Sequence, residues 1–194
     1  MSHDVLAIAG SPRRGGNSET LLDRALEAVR EFEAGRVEKL VLNELDIRPC
    51  QNCGYCERAG RCRFADTDEM KRIYPMLEDF DRFIVASPVF FGNVPAQLKG
   101  MIDRCQPYWV KKFIRGETHP QAGRRRALLL SVGGFEHDRF HKCVRQVIKT
   151  WCICLDIDLS GDLFYPGMDE RGAIARHPTA LAETGEAVRA LMTE

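Results

Sequence analysis

Asp4-Val5-Leu6-Ala7-Ile8-Ala9-Gly10-Ser11-Pro12-Arg13-Arg14-Gly15-Gly16-Asn17-Ser18 passes from a short apolar run into a glycine-rich turn and then, at Asn17, into an amphipathic segment. An apolar run of this length bounded by turn residues reads as a buried strand, Asp4 to Ala9, and the 3.6-residue period that follows reads as a helix, Asn17 to Ala34. The same alternation recurs along the chain. Arg36 to Leu42, Asp81 to Ala86, Arg124 to Val132 and Asp158 to Tyr165 are expected as strands. Asp66 to Asp79, bent or shortened by Pro75, Ala96 to Phe113, His137 to Leu155 and Pro178 to Met192 are expected as helices. Strands separated by helices pair in parallel through right-handed crossovers, so the fold class is a doubly wound α/β sheet in one domain spanning 1–194. Ligands of such sheets lie beyond the carboxyl ends of the strands. The loops after Ala9, Ala86 and Val132 are therefore the ones to read for function.

The bulk composition narrows the classes. A chain of 194 residues that is 44% hydrophobic can bury a core without disulfide staples. Lys and Arg number 28 and Asp and Glu 28, so the overall field favours neither nucleic acid nor an anionic membrane. No basic segment precedes an apolar stretch at the N-terminus and no apolar run approaches a membrane span, from which cytoplasmic residence is expected. In a reducing compartment, clustered cysteines point to a metal or catalytic device before a disulfide framework.

In the first loop, small residues let the backbone approach a ligand, and the start of the helix that follows favours an anion. Ser11, Asn17, Ser18 and Thr20 are further donors and Arg13 can make charge-assisted bonds, so the loop reads as a phosphate cradle. It lacks both the Lys-Ser/Thr of a nucleoside-triphosphate loop and the G-x-G-x-x-G of a dinucleotide fold. The competing account is a plain helix cap at Asn17 or Ser18 with turn-forming glycines. After the third strand comes Ser87-Pro88-Val89-Phe90-Phe91-Gly92-Asn93-Val94-Pro95. Two aromatics beside glycine can form a slot for a planar ring, although either phenylalanine taken alone fits a core position better. Gly133 and Gly134 follow the fourth strand and again permit close approach of the backbone.

Four of the eight cysteines lie in Cys50-Gln-Asn-Cys53-Gly-Tyr-Cys56-Glu-Arg-Ala-Gly-Arg-Cys62. Three cysteines recurring every third residue, with a fourth closing the set, suit a [4Fe-4S] cluster. Structural zinc also takes four thiolates, usually as two separated C-x2-4-C pairs, and free redox thiols are the third reading. Arg58, Arg61 and Arg63 interleave the thiols and either offset their charge or form a solvated basic loop. Cys105, Cys143, Cys152 and Cys154 share no ligand spacing and are expected as small buried hydrophobes. His119, His137, His141 and His177 are scattered, with no nucleophile paired to them.

Taken together, GSPRRGGNS, SPVFFGNVPAQLKGMIDR and the compact cysteine motif resemble the iron-sulfur flavoproteins, in the NADPH-dependent FMN reductase branch of the flavodoxin-like proteins. The resemblance covers Val5 to Gly134. It implies a five-stranded parallel sheet of order 2-1-3-4-5. It also implies that Ser11, Arg13, Asn17 and Ser18 hold an FMN phosphate, with Pro88, Val89, Phe90, Phe91 and Gly92 along the isoalloxazine and Gly133 and Gly134 at its other side. Thr20 and Asn93 belong to the same candidate set. Cys50, Cys53, Cys56 and Cys62 would ligate the cluster, in a homodimer or homotetramer that brings one subunit's cluster near another's flavin. The implied activity is electron transfer between cluster and FMN, with ferredoxin or NAD(P)H as donor and a small molecule as acceptor. The alternatives are an NAD(P)H-dependent FMN or quinone reductase without a cluster, and a non-catalytic flavodoxin-like carrier.

Overall fold

The five strands β1 (Val5–Ala9), β2 (Val37–Val41), β3 (Arg82–Pro88), β4 (Arg126–Val132) and β5 (Asp158–Tyr165) form one parallel sheet in the order β2-β1-β3-β4-β5. The structure is a computed structural model that describes residues 2–193; Met1 and Glu194, the ends of the expected 1–194 unit, lie outside the described residues. Because every pair is parallel, all five carboxyl ends meet at one edge. The order reverses between β1 and β3, whose registers run Val5 to Arg82 and Ala9 to Ala86. The crevice of a doubly wound sheet forms at this reversal.

Alternation along the central strands decides which helices cover which face. Val5, Ala7, Ala9, Ile84, Ala86, Leu128 and Leu130 point to one side, where they pack with Leu21, Leu22, Ala25 and Ala28 of α1 (Asn17–Val29) and Val188 and Leu191 of α7 (Ala180–Thr193). Leu6, Ile8, Phe83, Val85, Ala127 and Leu129 point to the other. There they meet α3 (Met70–Asp79), α4 (Ala96–Asp103), α5 (Gln106–Trp109) and α6 (Arg139–Cys154) through Ile73, Leu77, Leu98, Met101, Tyr108, Val144 and Trp151. A side chain of this size contributes roughly 1.5–3 kcal/mol when fully buried, so the two apolar layers are the main source of stability.

Three expected helices are shorter or broken. The first ends at Val29 because the chain must turn back to enter β2 beside β1. At that turn the Gly35 N–H bonds the carbonyl of His3, and a Cβ on Gly35 would stand 2.3 Å from Asp4 Oδ1. The segment containing Pro75 starts at Met70, where the Asp68 carboxylate accepts the Met70 N–H at 3.0 Å; Pro75 is tolerated inside α3. The run from Ala96 to Phe113 splits after Asp103, since Pro107 has no N–H to continue the ladder. A π-helical turn, Val110–Ile114, follows α5. Among the described residues no helix is long and apolar enough to cross a membrane.

All eight cysteines are free thiols. Cys105 and Cys152 are buried as expected, and burial pushes both thiols up to about 12, which leaves them inert. Cys154, the last residue of α6, is only half-buried, and Cys143 departs further from that expectation: it lies on the solvent side of α6. Its neighbour Val144, one position along the helix, takes the core position instead.

Candidate functional site

At the exit of β1, the Gly10 N–H bonds the Ala86 carbonyl at 2.8 Å and draws the first loop against β3. A Cβ at Gly10 would come within 2.7 Å of Leu98 Cδ2 and 3.0 Å of the Ala86 oxygen, so the tight packing of three elements requires glycine there. The Ser11 hydroxyl oxygen accepts the Arg13 N–H at 3.1 Å, and Gly15 at φ +60° turns the chain into α1. Beneath this turn lies Glu19, only 4% exposed, which the sequence reading passed over. It accepts the Gly15 N–H at 2.7 Å and the Lys39 ammonium at 2.9 Å, with the Arg14 guanidinium at 3.1 Å. A glutamate at the third helical position is the detectable signal, since there it can reach back to an amide ahead of the helix.

Burial pushes the Glu19 carboxyl up, but the Lys39 ammonium, the Gly15 amide and the Arg14 charge outweigh it and hold it below its ordinary 4.5. A carboxyl depressed on folding contributes stability above 4.5 that is lost as the pH falls through the folded value. Glu19→Gln is therefore expected to lower stability at neutral pH by about 1 kcal/mol and to flatten the acid limb of a plot of melting temperature against pH. An unchanged acid limb would show that Glu19 does not anchor the loop.

Four loops close on one space at the carboxyl edge of the sheet. Its lining comprises Ser11, Arg13, Gly16, Asn17 and Ser18; Pro88, Val89 and Phe90; Val132, Gly133 and Gly134; and Met168 and Asp169. A second hollow shares Val89, Gly133, Gly134 and Asp169 and is otherwise walled by Phe91, Gly92, Phe135, His137, Phe140 and Phe164. Eleven of the thirteen expected cofactor residues thus come together in these adjoining spaces. Thr20 and Asn93 line neither: the Thr20 hydroxyl donates to the Gly16 carbonyl at 3.2 Å, and Asn93 Oδ1 accepts the Val94 N–H at 2.8 Å.

The residues play different parts. Arg13 is exposed and makes no ion pair among the described residues, so its charge is available to an anion. Asn17 is committed inside the protein: its Nδ2 donates to the carbonyls of Met168 and Glu170 at 2.9 and 2.8 Å, fastening the loop after β5 to the start of α1. What Asn17 offers a ligand is the amide edge of the helix, where the first N–H groups have no intrahelical partner. Neither phenylalanine of the third-strand loop belongs to the core. Phe90 and Asn93 exchange two backbone bonds of 2.8 and 2.9 Å around Phe91 at φ +49° and Gly92 at φ +73°. This tight reversal leaves Phe90 45% and Phe91 fully exposed.

Met168 and Asp169, absent from the residues expected from sequence, reach the site because β5 is parallel and delivers its loop to the same edge, a signal the strand pattern already carries. A Cβ on Gly134 would fall 2.2 Å from Asp169 Oδ1, so the glycine lets these two loops meet. Behind them the His141 ring stacks on Phe164 at 4.6 Å, with Nε2 2.8 Å from the Asp162 carboxylate.

The four cysteines of the compact motif also surround one space, together with Phe64, Arg104, Pro107 and Trp109. Left-handed backbone at Asn52 (φ +49°), Gly54 (φ +67°) and Gly60 (φ +69°) wraps the chain around the short helix α2 (Tyr55–Ala59), which carries Cys56. Arg115 pins that helix through the carbonyls of Glu57 and Arg58 at 3.2 and 3.1 Å. Cys53 is exposed and the other three are half-buried. Burial raises the Cys56 thiol, and charge on Cys50, Cys62 and Cys53 raises it further, as expected of thiols that face one another. Among the described residues no three His, Cys, Asp or Glu side chains converge tightly enough to hold a single metal ion. The space walled by these cysteines shares no residue with either hollow at the sheet edge.

A five-stranded parallel sheet of order 2-1-3-4-5 with an anion-favouring first loop defines the flavodoxin-like class. Solved structures agree on the fold. An FMN-dependent NADH-azoreductase from Bacillus anthracis in complex with FMN superposes with a TM-score of 0.73 at 16% identity, covering 97% of this chain and 99% of that one. The NAD(P)H:quinone oxidoreductase from Methanothermobacter marburgensis gives 0.69 at 17% identity, covering 98% and 96%. The sequence model of NADPH-dependent FMN reductase matches residues 3–153. An iron-sulfur flavoprotein of Archaeoglobus fulgidus is 40% identical over 150 residues, 77% of this chain and 64% of the relative. Another, of Methanosarcina thermophila, is 36% identical over 149 residues, 76% and 71% of the two chains. The chain belongs to the NADPH-dependent FMN reductase family and within it to the iron-sulfur flavoproteins. It spans just under two thirds of the length of the Archaeoglobus relative.

Proposed function

We propose that this chain is an FMN-dependent oxidoreductase that exchanges electrons between FMN at the carboxyl edge of the sheet and a [4Fe-4S] cluster held by Cys50, Cys53, Cys56 and Cys62. The observation that carries the reading is convergence: stretches around residues 11–18, 88–92 and 133–134, far apart in the chain, wall two adjoining hollows. In this reading the helix-start amides, the Ser18 hydroxyl and the Arg13 guanidinium hold the phosphate. Gly133 and Gly134 let the backbone lie close to a flat ring, whose apolar surround comes from Val89, Phe90 and Phe91.

The donor set of the cysteine loop suits a cluster better than zinc. A tetrahedral zinc with bonds of about 2.3 Å needs its sulfurs roughly 3.8 Å apart around one point. Here the four cysteines wall one shared space, and three of them recur every third residue, whereas structural zinc usually takes two separated C-x2-4-C pairs. Bound together, the two groups would link one-electron carriers to two-electron substrates. The chain's own residues then hold, orient and shield; no side chain need act as general acid or base. Arg58, Arg61 and Arg63 around the cysteines are exposed and suit an acidic one-electron carrier such as a ferredoxin as donor, with NAD(P)H as the other donor and a small molecule as acceptor. Exposed Trp109, Phe113 and Ile114 near the same loop support a homodimer or homotetramer.

Protein purified without air should contain FMN together with iron and acid-labile sulfide in about a four-to-four ratio per chain. Its flavin should be reduced by a reduced ferredoxin in rapid mixing. FMN without iron or sulfide, with fast bleaching by NADPH, would replace the reading by an NAD(P)H-dependent FMN or quinone reductase. Reversible one-electron steps with no acceptor consumed would make it a carrier.

A further inference from the structure

Arg104, next after α4, is 1% exposed, and its guanidinium is divided among distinct partners. Nη1 donates to Asp68 Oδ2 at 2.5 Å and to the Arg48 carbonyl at 2.7 Å, and Nη2 donates to the Phe64 carbonyl at 3.0 Å. The Tyr74 hydroxyl holds the Arg104 carbonyl at 2.6 Å, which locks the main chain as well. The Nε–H, also buried, has no hydrogen-bond acceptor among the described residues. A buried N–H without a partner costs about 1–3 kcal/mol, so a group held this firmly with one donor unmet calls for an acceptor. Arg104 walls the same space as the four cysteines, and its guanidinium lies against Cys62, whose sulfur accepts the Phe64 N–H at 3.4 Å.

We propose that Arg104 is a tuning residue for the centre held by the cysteines: its charge and its unmet Nε–H, fixed beside Cys62 by Asp68 and the Arg48 and Phe64 carbonyls, raise that centre's reduction potential. The inference rests on the cluster reading above. Adding one electron makes a thiolate-ligated centre more negative by one charge, and neighbouring N–H donors and cations favour that state. Asp68, itself 4% exposed at its side chain, offsets part of the charge of Arg104. The two residues therefore act with opposite sign.

The test uses full-length protein purified without air, with iron and sulfide measured for each variant before an EPR-monitored titration with dithionite as electron donor. In Arg104→Gln the ratio of reduced to oxidised centre at a fixed potential is expected to fall about tenfold, which corresponds to about 59 mV for a one-electron couple. Arg104→Lys keeps the charge and should fall less. Asp68→Asn removes the offsetting carboxylate and should move the potential the other way, whereas a merely structural disturbance has no reason to give opposite signs. Cluster-bearing Arg104→Gln and Arg104→Lys proteins that titrate with the parent would overturn the assignment. Should Arg104→Gln lose its cluster, Asp68→Asn decides alone: a cluster-bearing variant with an unchanged or lowered potential overturns it. A parent protein without iron sinks the cluster reading instead, a different outcome from a cluster that ignores Arg104.

Discussion

Replacing any one of Cys50, Cys53, Cys56 or Cys62 with serine is expected to abolish cluster retention while leaving flavin bound. A structural metal site can carry 10 kcal/mol or more of binding free energy at neutral pH, and it depends on a complete thiolate set. Removing one thiolate from four should drop iron from about four per chain to below one after desalting. Flavin should survive because the space around the cysteines and the hollows at the sheet edge have no wall residue in common. Cys143→Ser is the internal control, since that thiol lies exposed on α6. Iron, sulfide and flavin assays on the same samples read the result. Four serine variants that keep the parent's iron would move the metal elsewhere or remove it from the account.

Arg13→Ala should weaken FMN binding by about ten- to 150-fold, the equivalent of one charge-assisted bond of about 1.5 to 3 kcal/mol. The size of the effect follows from the position of Arg13 on the wall of the first-loop hollow without an ion pair of its own among the described residues. Among the described residues none loses an ion-pair partner when it goes, so the loss should fall on ligand affinity and leave the melting temperature of ligand-free protein nearly unchanged. Riboflavin, which lacks the phosphate, separates phosphate recognition from ring binding. Its affinity should be the same in parent and variant by fluorescence titration. An equal loss for both flavins would place Arg13 at the ring, and no loss for either would remove the phosphate from the first loop.

Much of this was legible from residues alone, for identifiable reasons. The strand at Val5–Ala9 and the helix from Asn17 declare themselves because a strand buried on both faces is continuously apolar, whereas a covering helix repeats every 3.6 residues. The phosphate-type loop and the cysteine motif are local, so spacing reveals them. What was not legible is equally specific. Phe90 and Phe91 resemble core residues in composition, yet a two-residue reversal at positive φ turns them outward. Asn17 has the chemistry of a ligand donor, yet two carbonyls from the loop after β5 occupy its amide nitrogen. Periodicity cannot report either contact, because each partner depends on where a different segment ends.

The order of apolar runs, turns and thiols in the chain by itself determined a parallel α/β sheet, three loops to examine and one four-cysteine motif. These are properties of short windows, in which side-chain size, backbone freedom at glycine and proline, and the period of hydrophobicity act within a few residues. Only the tertiary structure decided that the loop after β5 joins the others through Asn17 and Asp169, that Glu19 and Lys39 underpin the first loop, and that Arg104 walls the same space as the four cysteines. Each of those contacts joins residues from different elements. Their proximity arises when two apolar layers close on the sheet and fix its parallel register, and no window along the chain contains that information.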